Sequence, residues 1–316
     1  MRAASPARTA PSEPPAERPR RPTVGASLDI LAAASLWGGM YVVSAATFDR
    51  IPPVTLGLLR LVVGALVLLV VFRGRPALRG VPRGRLVSAG AILALTLVLQ
   101  FVGTNLTGAA EGALLTTTTP AFVLLFAATF EGSRARLPAW LGVLVALLGV
   151  GVLAARDAAF AGLGGTTLVG DVLLVGSAAT WALFSSVGRP LVVAVGPFRA
   201  VFGASLVAIV LLLPLVPFEL AGRSLPPLDL PAVAAVGYLG VMATAVAWSL
   251  WYRGYAAAPP TLTAALFFAQ PLVGATLGVA LLSETLGPPF LVGGALIVLG
   301  VLAIASDGRP GRASAR

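Results

Sequence analysis

Apolar residues in this chain neither alternate nor form a narrow stripe; they continue in ten uninterrupted runs. The runs cover 28–47, 54–72, 86–107, 109–130, 138–155, 168–187, 195–216, 231–252, 261–282 and 288–305. A helix rises ~1.5 Å per residue, so about 20 such residues cross a hydrocarbon layer of ~30 Å. The pattern therefore predicts ten membrane-spanning helices, with the arginines, prolines and most glycines of the chain marking the connections or special positions within them.

The fourth run, AAEGALLTTTTPAFVLLFAATF, carries Pro120 near its middle. Proline offers no N–H to the carbonyl four residues back and crowds it, so the threonines 116–119 are placed to give hydroxyls to a locally opened backbone. The ninth run, TLTAALFFAQPLVGATLGVALL, puts Pro271 in the same place, 151 residues on, with Gln270 where the first copy has Thr119. Gly142 and Gly149 are echoed at the same offset by Gly293 and Gly300, while Trp37 and Pro53 fall on Trp181 and Pro197 at an offset of 144. The chain is thus read as a duplication: a tail at 1–27, a first repeat at 28–155, a linker at 156–167, a second repeat at 168–305 and a short tail at 306–316. Each repeat holds an odd number of spans, so the second copy must lie inverted relative to the first. The predicted fold class is an all-α integral membrane protein of ten helices in two inverted five-helix repeats.

Composition agrees and excludes much chemistry. With 58% hydrophobic residues, 11% charged and a mean hydropathy of +0.95, a soluble domain would have nowhere to put its apolar surface. The chain has no cysteine, histidine or lysine, so all 22 basic residues are arginine. That removes disulfides, ordinary zinc sites, Ser/His/Asp or Cys/His catalysis, the phosphate-loop lysine and the Schiff base. No cofactor, metal or nucleic-acid partner is implied, because the net charge of +10 lies mainly in tails and loops. If the N-terminus is cytoplasmic, 18 arginines fall inside and only Arg50, Arg156 and Arg223 outside, with Arg60 in a span. Both termini are expected in the cytoplasm of a bacterium, with the spans in its inner membrane. The Pro-, Ala- and Arg-rich leader reads as a disordered cytoplasmic tail.

Polar residues within the spans are the candidates for function. Trp37, Tyr41 and Ser44 share one helix face, as do Ser177, Trp181 and Ser185 in the repeat-related span. A second pair of faces carries Thr96, Gln100 and Thr104 in span three and Thr244, Trp248 and Trp251 in span eight. In a bilayer, Gln100 must point into the bundle, toward substrate or toward a neighbouring helix. Residues about one turn either side of the two prolines, with side chains of similar depth on other spans, should line a midplane cavity: Trp37, Tyr41, Gln100, Thr116, Thr119, Trp181, Trp248 and Gln270. Arg60, an embedded cation costing ~2.5–3.5 kcal/mol at a helix centre, needs a partner. Glu111, near the start of span four, is one choice, and capping by carbonyl groups is the other. Arg60, Glu111, Pro120 and Pro271 are read as structural or coupling residues.

Taken together, LWGGMYVVS opening the first repeat, GDVLLVGSAATWALFSS opening the second, Pro-led second spans, a proline in each fourth span and a closing G-x6-G helix resemble the paired EamA-type units of the drug/metabolite transporter superfamily. The resemblance covers about 28–305 and implies ten spans, cytoplasmic termini and export or import of small metabolites. That family also carries a Glu shortly after each fourth span; Glu284 fits, whereas Ser133 occupies the aligned first-half position and Glu131 lies two residues early. The function expected is secondary transport of a small organic solute by alternating access. A membrane enzyme acting on lipid would need a converging nucleophile and base, and a non-transporting scaffold would be expected to carry larger extramembrane domains. Neither signal is found.

Overall fold

The computed structural model describes residues 24–71, 81–130, 136–161, 166–223, 229–257 and 260–306. Within them the secondary structure is entirely helical. Among the described residues nine helical segments are long and apolar enough to cross a membrane, and the ninth span is divided by a break that leaves Ala269–Leu282 as a shorter apolar helix.

The first repeat contains α1 (Val24–Ala45), α2 (Pro53–Val71), α3 (Arg83–Thr107), α4 (Ala109–Leu115), α5 (Thr119–Phe130) and α6 (Leu137–Ala161). The second contains α7 (Thr166–Val195), α8 (Pro197–Leu212), α9 (Val216–Leu220), α10 (Leu230–Gly237), α11 (Ala247–Ala257), α12 (Pro260–Phe267), α13 (Ala269–Leu282) and α14 (Pro288–Ser306). Helix is the only economical backbone here, since hydrocarbon offers no partner for an open N–H or C=O. Proline stands at the first residue of α2, α8 and α14, where its missing N–H costs nothing. Gly108 (φ 121°) and Gly196 (φ 83°) make the sharp turns from α3 to α4 and from α7 to α8. Helix α6 runs on through residues 156–161 to Ala161, as this alanine-rich sequence favours.

Spans four and nine, with Pro120 and Pro271 near their middles, are both interrupted. Between α4 and α5, residues Thr116–Thr118 form a tight 3-10 turn. The threonine hydroxyls donate back to main-chain carbonyls: Thr117 to Leu114 at 2.5 Å, Thr118 to Leu115 at 2.7 Å and Thr119 to Thr116 at 2.8 Å. In span nine the break falls between α12 and α13, three residues before Pro271. Span eight holds an interruption the sequence did not announce, a wide π-helical stretch at Tyr238–Val246 between α10 and α11.

Two glycine contacts join α6 to α14. A Cβ on Gly149 would lie 2.5 Å from the Gly293 carbonyl, and one on Gly142 would lie 2.6 Å from that of Gly300. Backbone therefore meets backbone, as small residues permit in membranes. The outer faces of these two helices are lipid-ready: Leu141, Leu144, Leu148, Leu291 and Leu299 are each more than half exposed. On the interior side, α3 packs along α7, and α1 lies against α11 and α13. Gly64 and Gly240 let α2 approach the π-helical stretch, with their own Cβ positions filled by Thr244 and Val63 respectively.

Carboxylates stitch the repeats together at helix starts. Glu284, just beyond α13, accepts from the Ala109 and Ala110 N–H groups at 2.6 and 2.9 Å, capping α4. Glu219 does the same for α2, accepting from the Val54 and Thr55 N–H groups at 2.8 and 2.7 Å. Asp229 caps α10 through the Ala232 N–H and pairs with Arg50 at 3.0 Å. The Ala232 N–H first, and Arg50 beside it, hold the Asp229 carboxyl below the ordinary carboxylate range. Glu131 and Ser133 lie outside the described residues.

Candidate functional site

The breaks in spans four and nine face each other across the bundle interior, and a cavity of about 60 Å³ lies beside them. Its walls come from both repeats. Trp37, Tyr41, Gln100, Thr116, Thr119, Trp181, Trp248 and Gln270, the eight residues expected from the sequence, all line it. Met40, Arg60, Thr96, Ser177 and Phe267 join them. Met40 is not among the residues expected from the sequence, although it lies three residues beyond Trp37 on the same helix face, a spacing that signals a shared lining.

One hydrogen-bonded chain runs along the polar wall. The Gln100 amide donates to the Tyr41 hydroxyl at 2.7 Å. Tyr41 lies 2.6 Å from the Thr116 hydroxyl. Thr116 in turn donates to the Gly112 carbonyl at 2.8 Å and accepts from the Gln270 amide at 3.1 Å. Because the Thr116 proton is committed to Gly112 and the Tyr41 oxygen accepts from Gln100, the phenol is assigned as donor to Thr116. The chain connects α3, α1, the 3-10 turn and α13, which are drawn from both repeats. Gln100 thus bonds a neighbouring helix, and its side chain also borders the cavity.

The apolar wall is aromatic. Trp181 stacks on Phe184 with centroids 5.4 Å apart and meets Trp248 edge-on at 5.6 Å. Trp37, Trp251 and Phe267 form a second group, with centroid separations of 5.3 to 6.0 Å. The Trp37 ring is also fixed by its Nε1–H, which donates to the Ala243 carbonyl at 3.0 Å. That carbonyl belongs to the π-helical stretch.

Arg60 is 4% exposed. Its partners correct the expected pairing with Glu111 and match the carbonyl-capped alternative. Nε donates to the Thr244 hydroxyl at 2.9 Å, Nη1 to the Met40 sulfur at 2.8 Å and Nη2 to the Ala243 carbonyl at 3.4 Å. Phe101 lies beneath the guanidinium, 5.8 Å from ring centroid to Cζ. The reason is the rotational setting of the helices. Arg60 sits on the side of α2 that meets span eight, whereas α4, which carries Glu111, packs on α1 and α13. Glu111 is buried in the first turn of α4, outside the cavity lining. Pro271 is buried at the start of α13, and Pro120 follows the 3-10 turn directly.

Comparison with known proteins places this architecture. The sequence profile of the EamA-like transporter family matches residues 25–155 and again 168–306. An uncharacterized protein of Pseudomonas aeruginosa is 32% identical over 295 residues, covering 91% of this chain and 96% of that protein. A probable terminal-alkyne amino-acid exporter of Streptantibioticus cattleyicolor is 29% identical over 233 residues, covering 73% of this chain and 75% of its own length. A solved structure titled only as a crystal structure of a protein superposes with a TM-score of 0.65 at 25% identity, over 89% of this chain and 95% of that one.

Proposed function

The chain belongs to the EamA-like transporter family and is an integral membrane transporter, and on that premise we propose that it moves a small organic metabolite or drug, amino-acid-like or amphipathic, by alternating access between its two repeats. The observation that carries this reading is the cavity itself: residues of both repeats converge on one buried space beside two broken helices. Broken helices at bilayer depth are tolerated where they line a cavity, and in inverted-repeat transporters that is where solute binds.

The lining selects the solute class. Three tryptophans and Phe267 offer flat apolar surface, while Gln100, Gln270, Thr116, Thr119 and Tyr41 offer amide and hydroxyl groups. Such a wall suits a solute with an apolar body and one compact polar end. A phosphate ester dianion would call for more cationic groups than the single arginine present. A terminal-alkyne amino acid, for which the probable exporter of Streptantibioticus cattleyicolor is named, fits the same description. At about 60 Å³ the cavity has room for roughly four to six waters. An amino-acid-sized solute enters only when the repeats move apart, as alternating access requires.

The proposed orientation follows the arginines, with both termini in the cytoplasm and the spans in a bacterial inner membrane. Counterflow of labelled amino acids and amphipathic drugs into proteoliposomes tests the function. Trans-stimulated uptake that saturates and is competed by unlabelled solute is expected. Passive, non-saturating flux for every such solute, with correctly folded protein, would refute it.

A further inference from the structure

Among the described residues Arg60 is the only charged group in the cavity lining, and every partner assigned to it is uncharged. A guanidinium has five N–H donors in a planar fork. Three are engaged here, one with a thioether sulfur, which is a weak acceptor, and one at 3.4 Å, which is long. The remaining two have no acceptor in the described structure. The fork is nevertheless held rigidly, by Thr244 on Nε and by Phe101 under its face. Thr244 is itself anchored, donating to the Leu239 carbonyl at 2.8 Å within the π-helical stretch. A cation that is buried, oriented and short of acceptors is built to receive an anion.

We propose that Arg60 is the anchor for a carboxylate on the transported solute, and that the cavity selects monocarboxylates with an apolar or aromatic body. The inference deepens the transport reading of the same cavity and rests on it. A carboxylate entering from the cavity would replace the Met40 sulfur at Nη1 and take the free N–H groups in the two-pronged geometry that arginine favours. The Trp37 and Trp248 rings would then flank the apolar body. An α-ammonium on the solute meets no carboxylate in the lining, so an amino group is accommodated against ring faces rather than required. The expected order is monocarboxylate, then zwitterion, then neutral amide, with the bare amine last.

The test uses the full-length protein in lipid nanodiscs and in proteoliposomes. The probes are 3-phenylpropionate, its isosteric amide 3-phenylpropanamide, phenylalanine and phenethylamine. Quenching of tryptophan fluorescence reports binding, because Trp37, Trp181 and Trp248 border the cavity. Wild-type protein should bind the carboxylate about tenfold or more tightly than the amide, the range of a charge-assisted paired contact. In Arg60→Gln that preference should fall to about twofold or less, and in Arg60→Lys it should be intermediate, since charge remains but the fork is lost. Equal binding of acid and amide by wild type, a preference that survives in Arg60→Gln, or binding of none of the four probes would overturn the proposal. The acid-against-amide comparison needs no variant, so it stands even if Arg60→Gln fails to fold. Counterflow separates the two claims: selective binding without exchange would sink the transport reading alone, and exchange without acid selectivity would sink the Arg60 anchor alone.

Discussion

Replacing Gly278 by Ala should destabilise the protein, although Gly to Ala inside a helix ordinarily stabilises by about 0.5–1 kcal/mol. Gly278 lies in α13, and a Cβ there would collide with Glu284 Oε2. The carboxylate would have to move, and with it the cap on Ala109 and Ala110. Two charge-assisted hydrogen bonds at the start of α4 would weaken, leaving part-buried N–H groups short of an acceptor. At about 1–3 kcal/mol per unsatisfied group, partly offset by the helix gain, a net loss of about 1–3 kcal/mol is expected. Glu284→Ala should lose about 2–4 kcal/mol, because the cap vanishes along with the favourable charge at the helix start. The informative variant is the double one. Without Glu284 the next atom a Cβ at 278 meets is the Ala110 Cβ at 3.6 Å, an ordinary contact. Adding Gly278→Ala to Glu284→Ala should then be neutral or slightly stabilising, giving a coupling of about 1 kcal/mol or more. Reversible unfolding of the four proteins in mixed micelles measures the cycle. Additive costs would show that Gly278 does not act through Glu284 and that the cap does not hold α4 as described.

Other outcomes follow from the same geometry. Ser283, which ends α13 at φ 57°, is the one non-glycine residue with positive φ among those described; Ser283→Gly should raise the melting temperature, with a gain of up to about 1–2 kcal/mol, and Ser283→Val should lower it. Single Ala replacements of Trp37, Gln100, Trp181 and Gln270 should reach the membrane but change the KM or kcat of counterflow; four variants with normal levels and unchanged kinetics would place the solute elsewhere. In this cysteine-free chain, Cys introduced at 223 should react with an impermeant thiol reagent on intact cells and Cys at 85 should not, and the reverse pattern would invert the proposed orientation.

How much of this was legible in the sequence depended on whether the signal was local. The length of each apolar run predicted a span, and Pro120 and Pro271 marked two breaks because proline acts on its own turn. The eight cavity residues could be named because period and depth place a side chain on a face without knowledge of its neighbours. Arg60 shows where that stops. Matching depth suggested Glu111, but depth does not specify which face of α2 turns toward which helix, and the close Gly64–Gly240 approach settles that in favour of span eight. The π-helical stretch contains no proline to announce it. Its sequence, YLGVMATAV, reads as ordinary apolar helix, and Gly240 and Thr244 acquire their meaning only from the partner helix. Glu284 was noticed through the family resemblance, yet its bond to a span 175 residues away in the chain was not readable from either segment alone.

The glycine crossing of α6 and α14 has a consequence for ancestry. The duplication pairs Gly142 with Gly293 and Gly149 with Gly300, so exchanging the two halves turns the 142–300 contact into the 149–293 contact. A contact that survives exchange of its partners is the isologous kind, which two copies of one chain make with each other. A single five-span ancestor, inserted in both orientations, would already have owned this edge before any gene fusion joined the halves. The mutual fit also restrains later divergence, since a side chain gained at one glycine strikes the backbone of the other copy and not merely a neighbour free to drift.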